Sequence, residues 1–309
     1  MFFAGVGILG PNFAYWKLRR KYRNPSTYSE KLFHKLAFDR DPHLTMLVDR
    51  IGVRDYVRET IGEEFLTKSF LETYDVDSID WAGLPHEYVC KVSHGCGGMI
   101  FVSEQISRDL HLPNIDLVKP WQRLQVHPDN ADTKRINEIL KYWLTLDYSW
   151  DKRRMIPEWA YRDVKRGVIF EEFIHSSTDR YPIDYKFFVV GGDVQLISAA
   201  EGRIENELRS TIYKGHWEPS KIRFKSQSQE LREADPPLVP PAQAEEMCQI
   251  AIKLAEITDS ARVDLYLSGD RVIFGEVTIY PSGGHSPFVD ERDNIELGAM
   301  WPQVMRYEG

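Results

Sequence analysis

The sequence predicts an α+β fold with a mainly helical region at its N-terminus. Apolar residues recur at helical spacing over residues 26–61 and again over 242–257. Two pairs of β-prone runs are each separated by a turn signal, Gly191-Gly192-Asp193 in one pair and Ser268-Gly269-Asp270 in the other. Helices combined with antiparallel hairpins indicate the α+β class, and 309 residues suffice for about two domains.

The predicted elements follow one another without internal repeats. The helical part opens near Ser26 or Ser29 and resumes at Asp41-Pro42. After it, the predicted elements are a strand at 84–92, a strand at 99–102, a helix at 132–146, a strand at 167–174, a hairpin at 184–199, a helix at 242–257 and a hairpin at 262–278. Residues 220–241 are polar and proline-rich, so we expect them on the surface.

Composition excludes some classes of function. A net charge of −8 and a pI near 5.7 argue against nucleic acid as a partner, because nucleic-acid binders are usually basic. Three cysteines without framework spacing predict a reducing compartment, and we expect a cytoplasmic protein. The apolar run 1–16 precedes the basic run 17–21, which is the wrong order for a signal peptide. We expect residues 1–21 to pack on the protein; weak contact with a membrane surface is the alternative.

The C-terminal hairpin carries the most informative charges. A loop with an odd number of residues centred near Asp270 would place Asp264 opposite Glu276, on the face that Arg262 also shares. Two neighbouring carboxylates repel unless a cation lies between them, and hard oxygen ligands suit Mg²⁺ together with phosphates. We expect Val263, Leu265, Ile273 and Val277 on the opposite, buried face. The alternative is a surface hairpin with solvated charges.

The segment around Lys91 predicts a phosphate-binding loop. Lys91 ends a strand just before Gly95, Gly97 and Gly98, and glycines let backbone N–H groups approach phosphates closely. The alternative is a tight hairpin with a solvated lysine. Cys90, His94 and Cys96 lack a fourth zinc ligand at motif spacing. The G-x-G-x-x-G match at residues 5–10 lacks the preceding strand that a dinucleotide site needs.

Further candidates are weaker individually. The strand end Glu171-Glu172-Phe173-Ile174 offers acids and backbone groups that could read an adenine and its ribose. Asp184 and Lys186 share strand parity and can face one cleft, and Arg203 follows the next strand as a candidate anion ligand. Each of these charges could equally be solvated.

Taken in order along the chain, these segments resemble the ATP-grasp superfamily and, in particular, the TupA-like ATP-grasp family of teichuronopeptide synthesis. The similar stretches, which span about residues 26 to 300, are Glu30-Lys-Leu, Asp49-Arg-Ile-Gly-Val-Arg54-Asp-Tyr-Val, Leu84-Pro85, Lys91-Val-Ser-His-Gly, Asp184-Tyr-Lys-Phe, Arg262-Val-Asp-Leu-Tyr and Phe274-Gly-Glu-Val-Thr-Ile-Tyr-Pro. The resemblance implies two α+β subdomains that grip ATP. We expect a helical region over 1–80, a lid subdomain over 81–170 and a metal-bearing subdomain over 171–309.

The resemblance also implies roles for individual residues. It assigns nucleotide phosphates to Arg50, Lys91, Lys186 and the glycine loop, and adenine to Glu171, Glu172, Phe173 and Ile174. Asp184 is expected among the other nucleotide-binding residues. It assigns Mg²⁺ to Asp264, Glu276 and Thr278, and catalysis to Arg262, Arg203 and Lys186. Thr278 stands where the family commonly has Asn, and Arg50 where it often has Lys. We expect Ser282, Gly283, Gly284 and His285 to line the acceptor site, because they follow the Glu276 strand directly; a plain turn is the alternative.

The implied reaction is an ATP-dependent, Mg²⁺-dependent ligation of a carboxylate with an amine. The family resemblance suggests a uronic acid or related glycan carboxylate, joined to an amino acid in polysaccharide biosynthesis. A kinase on the same scaffold and a nucleotide-binding protein without catalytic activity are the alternatives. An amide product would separate the ligase from the kinase.

Overall fold

The computed structural model describes residues 22–149, 158–175, 182–201, 209–224, 232–285 and 288–302. Two predicted features, Arg203 and the N-terminal segment 1–21, lie outside these ranges. Helices and two sheets within the described ranges confirm the predicted α+β class. None of the helices described is long and apolar enough to cross a membrane.

The helices of the described residues form an N-terminal group and three later elements. They are α1 (Tyr28–Phe38), α2 (Pro42–Val48), α3 (Val53–Thr60), α4 (Thr133–Thr145), α5 (Ala244–Ala255) and α6 (Glu291–Ala299). The first helix is capped by Thr27 rather than by Ser26 or Ser29. Thr27 has Glu30 three residues later, so the two residues form a capping box in which each accepts a backbone hydrogen bond from the other.

The strands form two sheets. They are β1 (Ser69–Thr73), β2 (Tyr88–Val92), β3 (Met99–Val102), β4 (Arg123–Val126), β5 (Val168–Glu171), β6 (Asp184–Val190), β7 (Asp193–Glu201), β8 (Arg209–Lys214), β9 (Glu218–Pro219), β10 (Arg232–Glu233), β11 (Ser260–Ser268) and β12 (Arg271–Thr278). The first sheet has the order β1-β5-β2-β3-β4, and the second has the order β10-β8-β7-β6-β11-β12 with β9 beside β8. All pairs are antiparallel except β3–β4 and β8–β10.

The first sheet combines strands from different predicted domains. Strand β1 lies in the range assigned to the helical region, and it joins the first sheet by pairing with β5. The domain boundaries therefore stay a prediction, while the two sheets supply the walls between which the predicted site residues lie.

Each sheet has its own apolar core. The first sheet packs against α4 through residues such as Ile139 and Trp143. The second sheet packs one face on α5 and the N-terminal helices, with Val263, Leu265 and Val277 fully buried there as predicted. The charged residues of β6, β11 and β12 lie on the other face, beside a separate apolar cluster in which Phe188, Val190 and Leu196 pack on α1 and α6.

Candidate active site

The hairpin β11–β12 aligns its two acids by means of a bulge. Its turn has two residues, since Ser268 pairs with Arg271, so the expected odd-numbered loop is wrong. An unbroken ladder would then pair Asp264 with Gly275. The register shifts by one residue after Leu265 and Phe274, and Asp264 therefore pairs with Glu276.

The bulge also moves a residue predicted for the other face. Ile273 pairs with Tyr266, so it shares the face of Asp264 instead of the face of Val263 and Val277. The prediction assumed unbroken alternation between residues 273 and 277, which the extra residue at 275 interrupts. Ile273 is nevertheless buried, at 1% exposure.

An alternating row of charges crosses the second sheet. Its order is Asp184, Lys186, Asp264, Arg262, Glu276 and Arg50. The Lys186 ammonium lies 2.6 Å from a carboxylate oxygen of Asp184 and 2.6 Å from one of Asp264. The Arg262 guanidinium donates to both oxygens of Asp264, at 2.6 and 2.7 Å. This bidentate contact fixes both side chains in one plane.

The far end of this charge row reaches β12 and the N-terminal region. Arg262 also donates to Glu276 at 3.2 Å and to the Thr278 hydroxyl at 3.0 Å. Arg50, which lies between α2 and α3, is 3.7 Å from the second oxygen of Glu276. The site thus holds three acids and three cations of its own.

Electrostatics keep Asp264 and Glu276 ionised. Burial would raise the pKa of Asp264, but the charges of Arg262 and Lys186 lower it below its usual value. Burial and the charge of Asp264 would raise the pKa of Glu276, and Arg50, Arg262 and Lys186 outweigh them. Both carboxylates are therefore anionic at neutral pH.

The glycine loop lies on the edge of the first sheet that faces this row. Gly95, Gly97 and Gly98 have φ of +107°, +104° and +61°, in the region that favours glycine. A Cβ at Gly97 would lie 2.1 Å from the carbonyl oxygen of Trp121, so the close approach also demands glycine. Arg50 donates to the carbonyl oxygens of Val92 and Gly97, at 2.8 and 3.1 Å, and so ties the loop to Glu276.

The carboxylate of Glu171 is enclosed by protein groups. Lys91 lies 2.5 Å from it, and Arg54 and the Thr67 hydroxyl each donate to it at 2.7 Å. Burial would raise the pKa of Glu171, but Lys91 and Arg54 lower it below its usual value. Lys91, expected at the phosphates, therefore has the carboxylate of Glu171 as its partner within the protein.

The rest of the predicted adenine segment lies at the turn end of β11–β12. Glu172 accepts from the Lys68 backbone N–H at 3.0 Å and from Arg271 at 3.1 Å. The Ser268 hydroxyl donates to the carbonyl oxygen of His175 at 3.0 Å. Phe173 is buried and Ile174 is half-buried. Their contact with adenine stays a prediction.

A comparison with known protein families gives a match over nearly the whole chain. A family model described as TupA-like ATP-grasp matches residues 30–301. The chain belongs to the TupA-like ATP-grasp family. The match covers both sheets and the helices from α1 onward, and the fold is accordingly the ATP-grasp fold of that family. A comparison with curated proteins finds no match.

Several solved structures are similar to this ATP-grasp chain. One is the ATP-grasp ligase PsnB complexed with a phosphomimetic variant of minimal precursor, Mg and ADP (12% identity, TM-score 0.36, 77% of this chain and 51% of that chain covered). Another is a Chryseobacterium gregarium RiPP-associated ATP-grasp ligase with ADP and a leader and core peptide (13% identity, TM-score 0.43, 96% and 69% covered). A third is the D-alanine–D-alanine ligase of Bacillus anthracis (10% identity, TM-score 0.40, 84% of this chain and 65% of that chain covered). This chain spans about half the length of PsnB.

The oxygens at the hairpin fit the Mg²⁺ of an ATP-grasp site. Asp264, Glu276 and Thr278 supply two carboxylates and a hydroxyl on neighbouring strands. The described residues contain no cluster of three or more acids, histidines or cysteines that could hold a metal alone. Two carboxylates completed by phosphate oxygens are a usual environment for Mg²⁺, so the donor set fits a metal that arrives with nucleotide.

The segment predicted for the acceptor turns sharply after β12. Ser282, Gly283 and Gly284 have φ of 54°, 61° and 85°. A Cβ at Gly284 would point toward α1, 3.5 Å from Leu36 and 3.7 Å from Phe33, and not into open space. The His285 ring packs edge-on against Phe33, with centroids 5.5 Å apart. Contact of this segment with the acceptor stays a prediction.

Sequence reasoning missed two residues that interact electrostatically with the charge row. Tyr266 shares strand parity with Asp264, and its ring lies over Gly275. The charge of Asp184, with burial and the charge of Asp264, raises the pKa of Tyr266 well above its usual value, so the phenol is neutral. The sequence did offer a signal for Tyr266, because it lies two residues after Asp264 on the same strand and therefore on the same face. The other residue, Arg123, had no signal in its local sequence.

Proposed function

We propose that this TupA-like protein is an ATP-dependent carboxylate–amine ligase that forms ADP, phosphate and an amide. One observation carries the proposal. The glycine loop of the first sheet faces the charge row of the second sheet, and Arg50 contacts both. Backbone N–H groups on one wall and balanced charges on the other suit a triphosphate held between them.

In the proposed reaction a carboxylate oxygen attacks the γ-phosphorus of ATP, and the bond to the bridging oxygen breaks to release ADP. An amine nitrogen then attacks the acyl phosphate carbon, the C–O bond to phosphate breaks, and the nitrogen loses a proton. Lys91 and Lys186 would bind phosphate oxygens, and Arg262 would stabilise the transferred group. Asp264, Glu276 and Thr278 would hold Mg²⁺, which supplies charge neutralisation at the phosphates.

The order of groups along β11 supports this placement. Glu172, in the segment proposed for adenine, contacts Arg271 at the turn that follows Ser268, and Arg262 lies toward the other end of β11. The triphosphate would run between them, past Lys186 and Asp264. The γ-phosphate then lies on the side where β12 leads into the proposed acceptor segment Ser282–His285.

The substrate class is a finer proposal that rests on the family. We infer a uronic acid or related glycan carboxylate and an amino acid as the two substrates, in polysaccharide biosynthesis in the cytoplasm. Weak membrane-surface contact through residues 1–21 would suit a glycan acceptor carried near a membrane. Neither point depends on the geometry of the site.

The experiment begins with trapping of the acyl phosphate. The protein is incubated with ATP, Mg²⁺, a panel of uronic acids and hydroxylamine, and the expected product is a hydroxamate formed at the rate of ADP release. Replacing hydroxylamine with amino acids should then give an amide of the corresponding mass. Asp264→Asn serves as the inactive control, and Lys141→Ala, on the exposed face of α4, as the active one.

Other outcomes separate the alternatives. A stable phosphorylated product without hydroxamate would indicate a kinase and contradict ligation. Nucleotide binding without acceptor-dependent ATP turnover would indicate a binding protein without catalytic activity.

A further inference from the structure

Arg123 stands beside the glycine loop at the first residue of β4. Its strand runs parallel to β3 with Arg123 paired to Met99, the residue that directly follows Gly98. The backbone N–H of Met99 donates to the carbonyl oxygen of Gln122 at 3.2 Å. Arg123 is thus fixed at the same edge of the first sheet as the glycine loop, while its side chain remains exposed.

Arg123, Met99 and Lys91 pair in one row across β4, β3 and β2, so Arg123 lies on the same face of the first sheet as Lys91. Although solvent reaches its side chain, the surrounding protein would lower the pKa of Arg123, but nearby polar and acidic groups, among them Cys96, Glu276, Tyr266 and Asp184, raise it above its usual value. These groups belong to the glycine loop and to the three strands that carry the charge row. Arg123 therefore lies within electrostatic reach of both walls of the cleft.

Arg123 differs from the other cations of the cleft in its partners. Lys91, Lys186 and Arg262 each contact a carboxylate at 2.5 to 2.6 Å. Arg50 is held by carbonyl oxygens and Glu276. Among the residues that the structure describes, no acidic side chain lies within 4.0 Å of Arg123. Its charge is available to a ligand without first breaking an ion pair.

The residues of β11 that interact with Arg123 indicate which part of a bound nucleotide it would reach. Tyr266 and Asp184, which pair across β11 and β6, lie between the Ser268 end and the pair Asp264–Glu276. Tyr266, Asp184 and Glu276, which act electrostatically on Arg123, therefore lie along the middle of the cleft. In the proposed function this is the stretch between the adenine end and the Arg262 end.

We propose that Arg123 is a nucleotide-binding residue that binds phosphate oxygens of ATP from the lid side of the cleft. The proposal rests on the proposed function for its nucleotide. A planar guanidinium suits two phosphate oxygens at once, and a cation here would oppose the metal-side carboxylates across the triphosphate.

The test compares ligands that differ only in phosphates. Binding of adenosine, ADP and ATP with Mg²⁺ is measured by calorimetry for the wild type, Arg123→Gln and Arg123→Lys. We expect Arg123→Gln to weaken ADP and ATP roughly 10- to 100-fold and to leave adenosine unchanged. Arg123→Lys should recover part of the loss. Arg108→Gln is the matched control, because Arg108 lies on the crossover that leads from β3 into β4 and pairs with Asp129.

Two outcomes would overturn the proposal while leaving the proposed function intact. Unchanged ADP and ATP affinity in Arg123→Gln, alongside a loss in Lys91→Ala, would exclude a phosphate contact. Unchanged nucleotide affinity with a raised KM for the carboxylate substrate would move Arg123 to the acceptor. A wild-type protein that binds no nucleotide would refute the proposed function itself. Equal thermal unfolding of the variants shows that the comparison concerns folded protein.

Discussion

Substituting Gly275 by alanine tests whether the bulge aligns the acids. A Cβ at this position would lie 2.6 Å from Cε2 of Tyr266 and 2.9 Å from the backbone oxygen of Asp264. Both distances are well inside the ~3.5 Å at which heavy atoms normally touch. The backbone oxygen cannot swing away, so the hairpin must shift or Tyr266 must leave its position.

Either response has a cost that can be measured. Overpacking of this kind destabilises proteins by about 1–3 kcal/mol. If the hairpin removed the bulge to relieve the clash, Asp264 would pair with residue 275. Glu276 would then turn to the apolar face where Val263 and Val277 pack, and an unpaired carboxylate there is strongly unfavourable. We therefore expect a strained bulge and a displaced Glu276.

The assay combines stability with metal dependence. Urea unfolding of Gly275→Ala should show a loss of about 1–3 kcal/mol in the free energy of unfolding. The Mg²⁺-dependent gain in ADP affinity should fall at least roughly tenfold, since a charged contact at the metal is lost. Gly269→Asn is the control, because this turn residue has φ of +60°, which Asn tolerates, and no atoms near its Cβ. Wild-type stability and full Mg²⁺ dependence in Gly275→Ala would refute the reasoning.

Three further predictions address the charges of the cleft. Lys91→Ala and Lys186→Ala should each weaken ATP binding roughly 10- to 100-fold in calorimetry. Lys141→Ala is the control and should keep the wild-type affinity. Unchanged ATP affinity in both lysine variants would contradict phosphate contacts. Asp264→Asn should abolish the Mg²⁺ dependence of ATP affinity, and a variant that keeps it would exclude Asp264 as a ligand. Glu171→Gln should lose about 3–5 kcal/mol of unfolding free energy at pH 7, because the buried Arg54 and the partly buried Lys91 lose their shared anion. Since the folded-state pKa of Glu171 is lowered, its contribution is present above the usual value of about 4.5 and fades as pH falls below it, so a difference from wild type equally large at pH 3 would contradict this assignment.

Regular periodicity made most elements predictable. The helix expected at 132–146 spans Thr133–Thr145, and the one expected at 242–257 spans Ala244–Ala255. Both carry an apolar stripe of 3.6-residue period that tertiary context does not override. The strand β1 was less regular, and its place in the first sheet depends on pairing with β5 about a hundred residues later in the sequence.

The candidate site was predictable where one hairpin determines the geometry. Asp264 and Glu276 pair as expected, although a two-residue turn and a bulge produce the register. Gly275 inside a strand pattern was the available signal for the bulge. The enclosure of Glu171 and the position of Arg123 depend on how separate segments pack, and no local pattern encodes that packing.

The alternating charge row has a consequence for how the cleft fills. The protein itself supplies cations to Asp184, Asp264 and Glu276, which form ion pairs with Lys186, Arg262 and Arg50. We expect binding of nucleotide and Mg²⁺ to exchange these ion pairs. The cations would then bind phosphate oxygens, and the carboxylates that they release would bind Mg²⁺. If nucleotide and Mg²⁺ bind together, none of these charged side chains is left without an opposite charge. We expect ADP and Mg²⁺ each to tighten the other's binding by the same factor, which reciprocal titrations would measure, and independent affinities would show that the cations keep their carboxylates in the loaded state.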